Sequence, residues 1–186
     1  MKKLNLLVLA FSALAIISCS KEEGDPEPEL KNQAEYKGAK ILFSEAVTPP
    51  FPVEYDPQVD YIFLATGNLV KTEVDKLIFD GSEGILIYLV NKSEGSVEEG
   101  NYSVTNKLAT TDRYANIQFY NDTNSDEKIG INQDDFINGS GGEVNLSFPE
   151  EGIYELTFDV TLENGEKLTG YYKGQVFSSS QLPSNN

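Results

Sequence analysis

A chain of 186 residues with 30 acidic side chains against 14 basic ones, no histidine, no tryptophan and one cysteine excludes several classes of protein at once. A net charge of −16 repels nucleic acid and anionic headgroups, and without imidazole there is no Ser-His-Asp triad, no Cys-His pair and no histidine zinc site. Paired carboxylates of the glycosidase kind remain as a hydrolytic option, and with acids spread along the whole chain no pair stands out.

At the start, Lys2 and Lys3 precede an apolar run over 4–17 that is relieved only by Asn5 and Ser12, and small Ser18 stands directly before Cys19. A basic start, an apolar middle and a small-residue cut point form a secretory signal, assigned to residues 1–18. The run is short of the roughly 20 apolar residues that cross a bilayer, so a membrane-spanning anchor is a poor reading. The stretch Leu14-Ala15-Ile16-Ile17-Ser18-Cys19 resembles a bacterial lipobox. That resemblance implies a lipid on the Cys19 sulfur, cleavage before it and acylation of the new amino terminus. Several acyl chains at one residue hold firmly, at about 0.8 kcal/mol per buried methylene, so the membrane is a partner through the lipid alone. With the lone cysteine used in this way no disulfide forms, and packing has to hold the fold.

Residues 19–34 read as a tether. Lys21-Glu22-Glu23-Gly24-Asp25-Pro26-Glu27-Pro28-Glu29 has nothing to bury and favours an extended spacer. Lys21, Glu22 and Glu23, just behind the cysteine, resemble the acidic export signal of Bacteroidota lipoproteins, which implies the outer face of the outer membrane.

From Glu35 the apolar pattern changes to period two, broken by glycine, asparagine and proline, which predicts strands over 36–47, 59–66, 76–79, 84–90, 101–105, 113–120, 143–148, 153–162 and 167–177. The fold expected for residues 35–178 is a single all-β domain, an antiparallel β-sandwich with a lipocalin-like β-barrel as the alternative, and 179–186 is a polar tail. Residues 48–57 carry four prolines and predict a stiff loop that presents Phe51 and Tyr55 to a ligand or folds them back as a cap. At most a single helical turn is expected over 74–77.

The last third gives the sharpest geometry. Tyr154, Leu156, Phe158, Val160 and Leu162 alternate with Glu155, Thr157, Asp159, Thr161 and Glu163, so one face is core and one is wet. A two-residue turn at Asn164-Gly165 would set polar against apolar along the whole ladder. The loop is therefore Glu163-Asn164-Gly165 with Gly165 left-handed, which pairs Val160 with Leu168, Phe158 with Gly170, Leu156 with Tyr172 and Glu155 with Lys173. Gly170 and Gly174 then fall on the inner face, and Phe158 is the ring expected over Gly170. The runs Gly142-Glu143-Val144-Asn145-Leu146, Gly152-Ile153-Tyr154-Glu155-Leu156-Thr157-Phe158 and Asn164-Gly165-Glu166-Lys167-Leu168-Thr169-Gly170-Tyr171-Tyr172 resemble the closing strands of small Bacteroidota lipoproteins, which implies a sandwich or barrel-like domain and gives no catalytic residue to carry over.

Two ligand sites are candidates. Asp122, Asn124 and Asp126 offer oxygen at alternate positions, as calcium requires, and resemble the start of an EF-hand or dockerin loop. Glu127 replaces the turn glycine and Gln133 the closing acid, so Asp134 or Asp135 would have to close the site, and the alternative is an acidic loop making its own Asx turns. Phe51, Tyr55, Tyr61 and Tyr171 are candidate platforms for a glycan, against ordinary cross-strand packing. The function expected is a non-catalytic binding or accessory module for a glycan or protein partner, displayed on the cell surface. A carboxylate-based glycosidase and an assembly protein with a calcium-stabilised loop are the alternatives, and Ca2+ is the one cofactor in view.

Overall fold

The computed structural model describes residues 32–48, 59–67, 69–71, 77–79, 81–93, 97–107, 111–121 and 136–178. All regular structure among them is strand: β1 (Gln33–Tyr36), β2 (Ala39–Leu42), β3 (Glu45–Thr48), β4 (Val59–Ala65), β5 (Leu69–Lys71), β6 (Leu77–Phe79), β7 (Glu83–Asn91), β8 (Gly100–Val104), β9 (Arg113–Asn121), β10 (Phe136–Glu150), β11 (Ile153–Leu162), β12 (Lys167–Gln175) and β13 (Phe177–Ser178). Eleven of them form one curled sheet in the order β13-β3-β4-β7-β9-β8-β10-β11-β12-β1-β2, and β5 pairs with β6 separately. The pairings are antiparallel except β8 with β9 and β13 with β3.

What draws the two ends of the strand order together is the step from β2 to β3. Phe43 N donates to Asn32 O at 2.9 Å, beside β1, and Ser44 N donates to Ala65 O at 2.9 Å, beside β4. Within two residues the chain passes from one end of the sheet to the other, so the sheet curls into a half-barrel. The apolar side chains on its concave face meet in one core, with Tyr102, Phe119, Ile62, Leu64, Ile85, Ile87, Leu89, Ile117, Leu146, Leu156 and Leu162 wholly buried. Each such side chain is worth about 1.5–3 kcal/mol relative to exposure, which accounts for a stable core without cross-links.

The C-terminal hairpin has the register that its sequence dictates. Val160 opposes Leu168, Phe158 opposes Gly170, Leu156 opposes Tyr172 and Glu155 opposes Lys173. Leu162 N donates to Glu166 O and Gly165 N to Leu162 O, both at 2.9 Å, with Gly165 at φ +83°, so the three-residue loop is a turn closed by a left-handed glycine bulge. A Cβ on Gly170 would lie 2.2 Å from Phe158 Cζ, which explains the glycine by the ring that covers it.

Three expectations are corrected. The single strand over 36–47 is three short ones, because Lys37 (φ +51°) and Gly38 (φ +78°) make a tight turn between Tyr36 and Ala39, and the crossing at Phe43-Ser44 follows. The strand over 143–148 is the core of a 15-residue strand, β10. Its early part holds a bulge at Ser140, where the partner register steps from Gly139↔Leu162 to Gly141↔Thr161, and Ser140 Oγ donates to Thr161 O at 3.0 Å. Third, β5 was not expected, and it is what β6 pairs with.

The two halves of the sheet differ in what their outer faces carry. Along β11 burial alternates strictly from Leu156 to Val160, but β4, β7 and β9 are buried on both faces. On their outer side Val47, Phe63, Ala65, Leu86 and Tyr120 form a second buried cluster, with Tyr88 and Phe136 packed against it.

Candidate functional site

Beside that second cluster the sheet splits. The first residues of β10 pair with β9, Ile137 opposite Phe119 and Asn138 opposite Gln118, but further along β10 pairs with β8, Val144 opposite Tyr102. The tip of β8 runs parallel to β9, with Val104 opposite Ala115 and Thr105 N donating to Ala115 O at 2.9 Å. β8 therefore enters as a wedge, and where it stops β9 and β10 have not yet closed up. The gap is a cavity of about 170 Å³ lined by Tyr88, Thr105, Asn106, Asn116, Gln118 and Asn138, with Ile117 and Gly139. Gly139 is bare because a Cβ there would sit 2.8 Å from Val104 Cγ1 and 3.0 Å from Val160 Cγ1.

The lining is wired together. Tyr88 Oη donates to Gln118 Oε1 at 3.4 Å, and Gln118 Nε2 donates to Asn138 Oδ1 at 3.2 Å. Asn138 Nδ2 donates to Glu163 Oε2 at 3.1 Å, and Asn106 Nδ2 to Glu163 Oε1 at 2.7 Å. Glu163 is exposed in the β11–β12 loop, and its backbone N donates to Asn138 O at 2.8 Å. The Asn106 and Asn138 amides hold its carboxyl below the usual range. Asn116, opposite Tyr88 across the β7–β9 ladder, stands apart: its Oδ1 is shielded from solvent and has no partner, a condition that costs about 1–3 kcal/mol.

Chemically these are amides, hydroxyls and ring faces, groups that keep one protonation state at neutral pH. Burial pushes the Tyr88 hydroxyl up, with Tyr61 adding to the shift, so it remains a donor. Such a lining offers hydrogen-bond donors and acceptors side by side.

Of the residues singled out by sequence, Tyr61 lies next to this site, its ring edge-on to Tyr88 with centroids 5.0 Å apart. Tyr171 does not. It sits on the outer face of β12, where its Oη donates to Glu155 Oε1 at 2.8 Å and its hydroxyl is pushed up to about 12. Phe51, Tyr55, the calcium candidates Asp122, Asn124, Asp126, Asp134 and Asp135, and the leader residues Cys19, Lys21, Glu22 and Glu23 lie outside the described residues. No cluster of three or more acids that would hold a metal occurs among the described residues.

Sequence reasoning passed over Asn106, Asn116, Gln118 and Asn138. Asn116 and Gln118 alternate with Ala115, Ile117 and Phe119, and so read as an ordinary wet face. The one available signal was the Asn138-Gly139-Ser140-Gly141-Gly142 run, since glycines in a strand mark bulges and close approaches.

A second polar spot lies inside the sheet, at the end where β4 begins. Asp60 faces the core side and receives a long contact from Tyr154 Oη at 3.5 Å; burial raises its carboxyl above the usual range and pushes the Tyr154 hydroxyl up to about 12. No family model matches the chain, and no curated protein and no solved structure matches it either.

Proposed function

We propose that this is a lipid-anchored surface protein whose β-domain binds a glycan through the wedge cavity and does not transform it. The observation that carries the reading is the lining itself: four side-chain amides and a tyrosine hydroxyl around a small cavity. Amides offer a donor and an acceptor on one carbon, which matches a ligand rich in hydroxyl groups. The cavity is smaller than the roughly 300–1,000 Å³ that holds a drug-sized molecule, and so takes one small unit. Tyr61 supplies an adjoining ring. The Leu14–Cys19 lipobox and the acidic stretch at Lys21, Glu22 and Glu23 support display outside the cell, with the membrane met only through lipid. The loop from Asp122 to Asp135 would add calcium to this scheme as a structural ion.

A glycan array probed with the full-length protein tests the reading. Retention of a defined glycan by the wild type and its loss in Asn116→Ala is the expected result; a blank array overturns it. Asp60, with its raised pKa, is the residue that a glycosidase reading would choose as general acid. Hydrolysis of a retained glycan that disappears in Asp60→Asn would replace binding by catalysis. Mass spectrometry of cell-derived protein checks the anchor, since an unmodified Cys19 on an uncleaved leader would remove it.

A further inference from the structure

We infer that Glu163 is the specificity-determining residue of the wedge cavity, setting the direction of its amide chain so that the site takes a neutral, hydroxyl-bearing sugar unit and rejects the anionic form of the same sugar. This deepens the proposed binding function and rests on it.

The polarity follows from the carboxylate. An ionised carboxylate only accepts hydrogen bonds, so both asparagines that meet it have to present nitrogen. Asn106 does so at 2.7 Å and Asn138 at 3.1 Å. Nitrogen and oxygen share one carbon, so Oδ1 of each is turned away from Glu163. Asn138 Oδ1 then takes the proton of Gln118 Nε2 at 3.2 Å, which leaves Gln118 Oε1 to accept from Tyr88 Oη at 3.4 Å. Each orientation is forced by the one before it. Amide flips that are otherwise interchangeable are fixed from one end by a single charge.

The chain ends without using Asn116. Its Oδ1 is shut away from solvent without a partner, so what a ligand hydroxyl meets in the cavity is the amide chain that Glu163 orients, to which it can both donate and accept. A carboxylate on the ligand can only accept, and has no proton to give an amide oxygen of that chain. It would also approach Glu163, which stands one hydrogen bond behind two lining amides, in a chain whose net charge is already −16. Repulsion between like charges in so exposed a setting weakens binding by roughly three- to ten-fold. The cavity's 170 Å³ suits one ring and no more.

The test is calorimetry and saturation-transfer NMR on the full-length protein in mild detergent. The probes are the methyl glycosides of glucose, galactose and mannose, each beside its uronate. Neutral glycosides should bind wild type roughly three- to ten-fold tighter than their uronates. Glu163→Gln should bring that ratio close to one, because glutamine removes the charge and can offer its own NH2 to the asparagines. A thermal melt of the variant, matching wild type, shows that the ratio and not the fold has changed. Uronates binding as tightly as neutral sugars, or a ratio untouched by Glu163→Gln, overturns the inference. If sugars bind, and Asn116→Ala abolishes binding while the ratio ignores Glu163, this inference alone falls. If no sugar binds, the proposed function falls with it.

Discussion

The hairpin β11–β12 and the strands β4, β7 and β9 belong to one sheet and are built on different terms. In the hairpin each residue has one job: Leu156, Phe158 and Val160 face the core, while Thr157 and Asp159 face water. In the other half both faces are occupied, Ile62, Ile85 and Ile117 on the inside and Phe63, Leu86 and Tyr120 on the outside. A wall needs one buried face; a wall that also carries something on its back needs two. The wedge cavity opens on this second side, where Gln118 and Asn138 continue the cross-strand row that begins with Val47, Phe63 and Leu86. A cavity is held rigidly beside packed rings and not on a solvated face.

Both halves use the same lock, an aromatic ring laid over a glycine, on opposite faces of the sheet. Phe158 covers Gly170 on the core side, and Phe63 covers Gly84 on the outer side, where a Cβ would come within 2.5 Å of Phe63 Cζ. Phe158→Ala should cost about 3–5 kcal/mol, and Phe63→Ala should cost the same order if the outer cluster is a true second core. Urea unfolding measures both. A loss below about 1 kcal/mol for Phe63→Ala would class the outer face with ordinary surface.

Filling the locks should cost less than removing the rings. Gly170→Ala and Gly84→Ala each force a ring to shift, for about 1–3 kcal/mol of overpacking. Pairing each with a smaller partner, Phe158→Leu or Phe63→Leu, should recover part of the loss, because contacting residues are not additive. Equal sums and doubles would show that the ring and the glycine do not meet.

Legibility in the sequence follows the same division. The hairpin was readable because alternation, the Asn164-Gly165 turn and the glycine at 170 all agree, so a single register satisfies them. The break after Tyr36 was hidden because its turn starts with Lys37, a residue that rarely takes positive φ, where asparagine or glycine would have signalled it. The start of β10 was hidden for the opposite reason, since Asn138-Gly139-Ser140-Gly141-Gly142 looks like a loop and is a bulged strand. The cavity could not be read at all. Its residues come from β7, β9 and β10 and from just beyond β8, and only the wedging of β8 brings them together.

Asp60, in the half of the sheet with two buried faces, makes stability depend on pH. It lies on the inner face of β4 with its carboxyl raised above the usual range by burial, the Tyr154 contact pulling the other way. Between the ordinary and the raised value the folded chain keeps a proton that the unfolded chain has released. Stability therefore falls as pH rises through that window and stays lowered above it. Asp60→Asn should raise the melting temperature at neutral pH, and the gain should vanish near about pH 3, below the ordinary carboxylate value. A gain that is the same at both pH values would come from packing and would remove the charge from the account.

The smallest effect is expected on the wet side of the hairpin. Lys167 Nζ lies 2.7 Å from Asp159 Oδ1, with both side chains more than half exposed. Water screens such a pair, and holding two flexible side chains together costs entropy, so Lys167→Ala should change stability by about 0–1 kcal/mol. The short distance argues for more, the exposure for less, and exposure wins because the attraction acts through solvent. High salt should leave the variant and the wild type still closer together. If chemical denaturation instead shows a loss above about 2 kcal/mol, the outer face of the hairpin carries structural weight of its own, and the line drawn between the two halves of the sheet is in the wrong place.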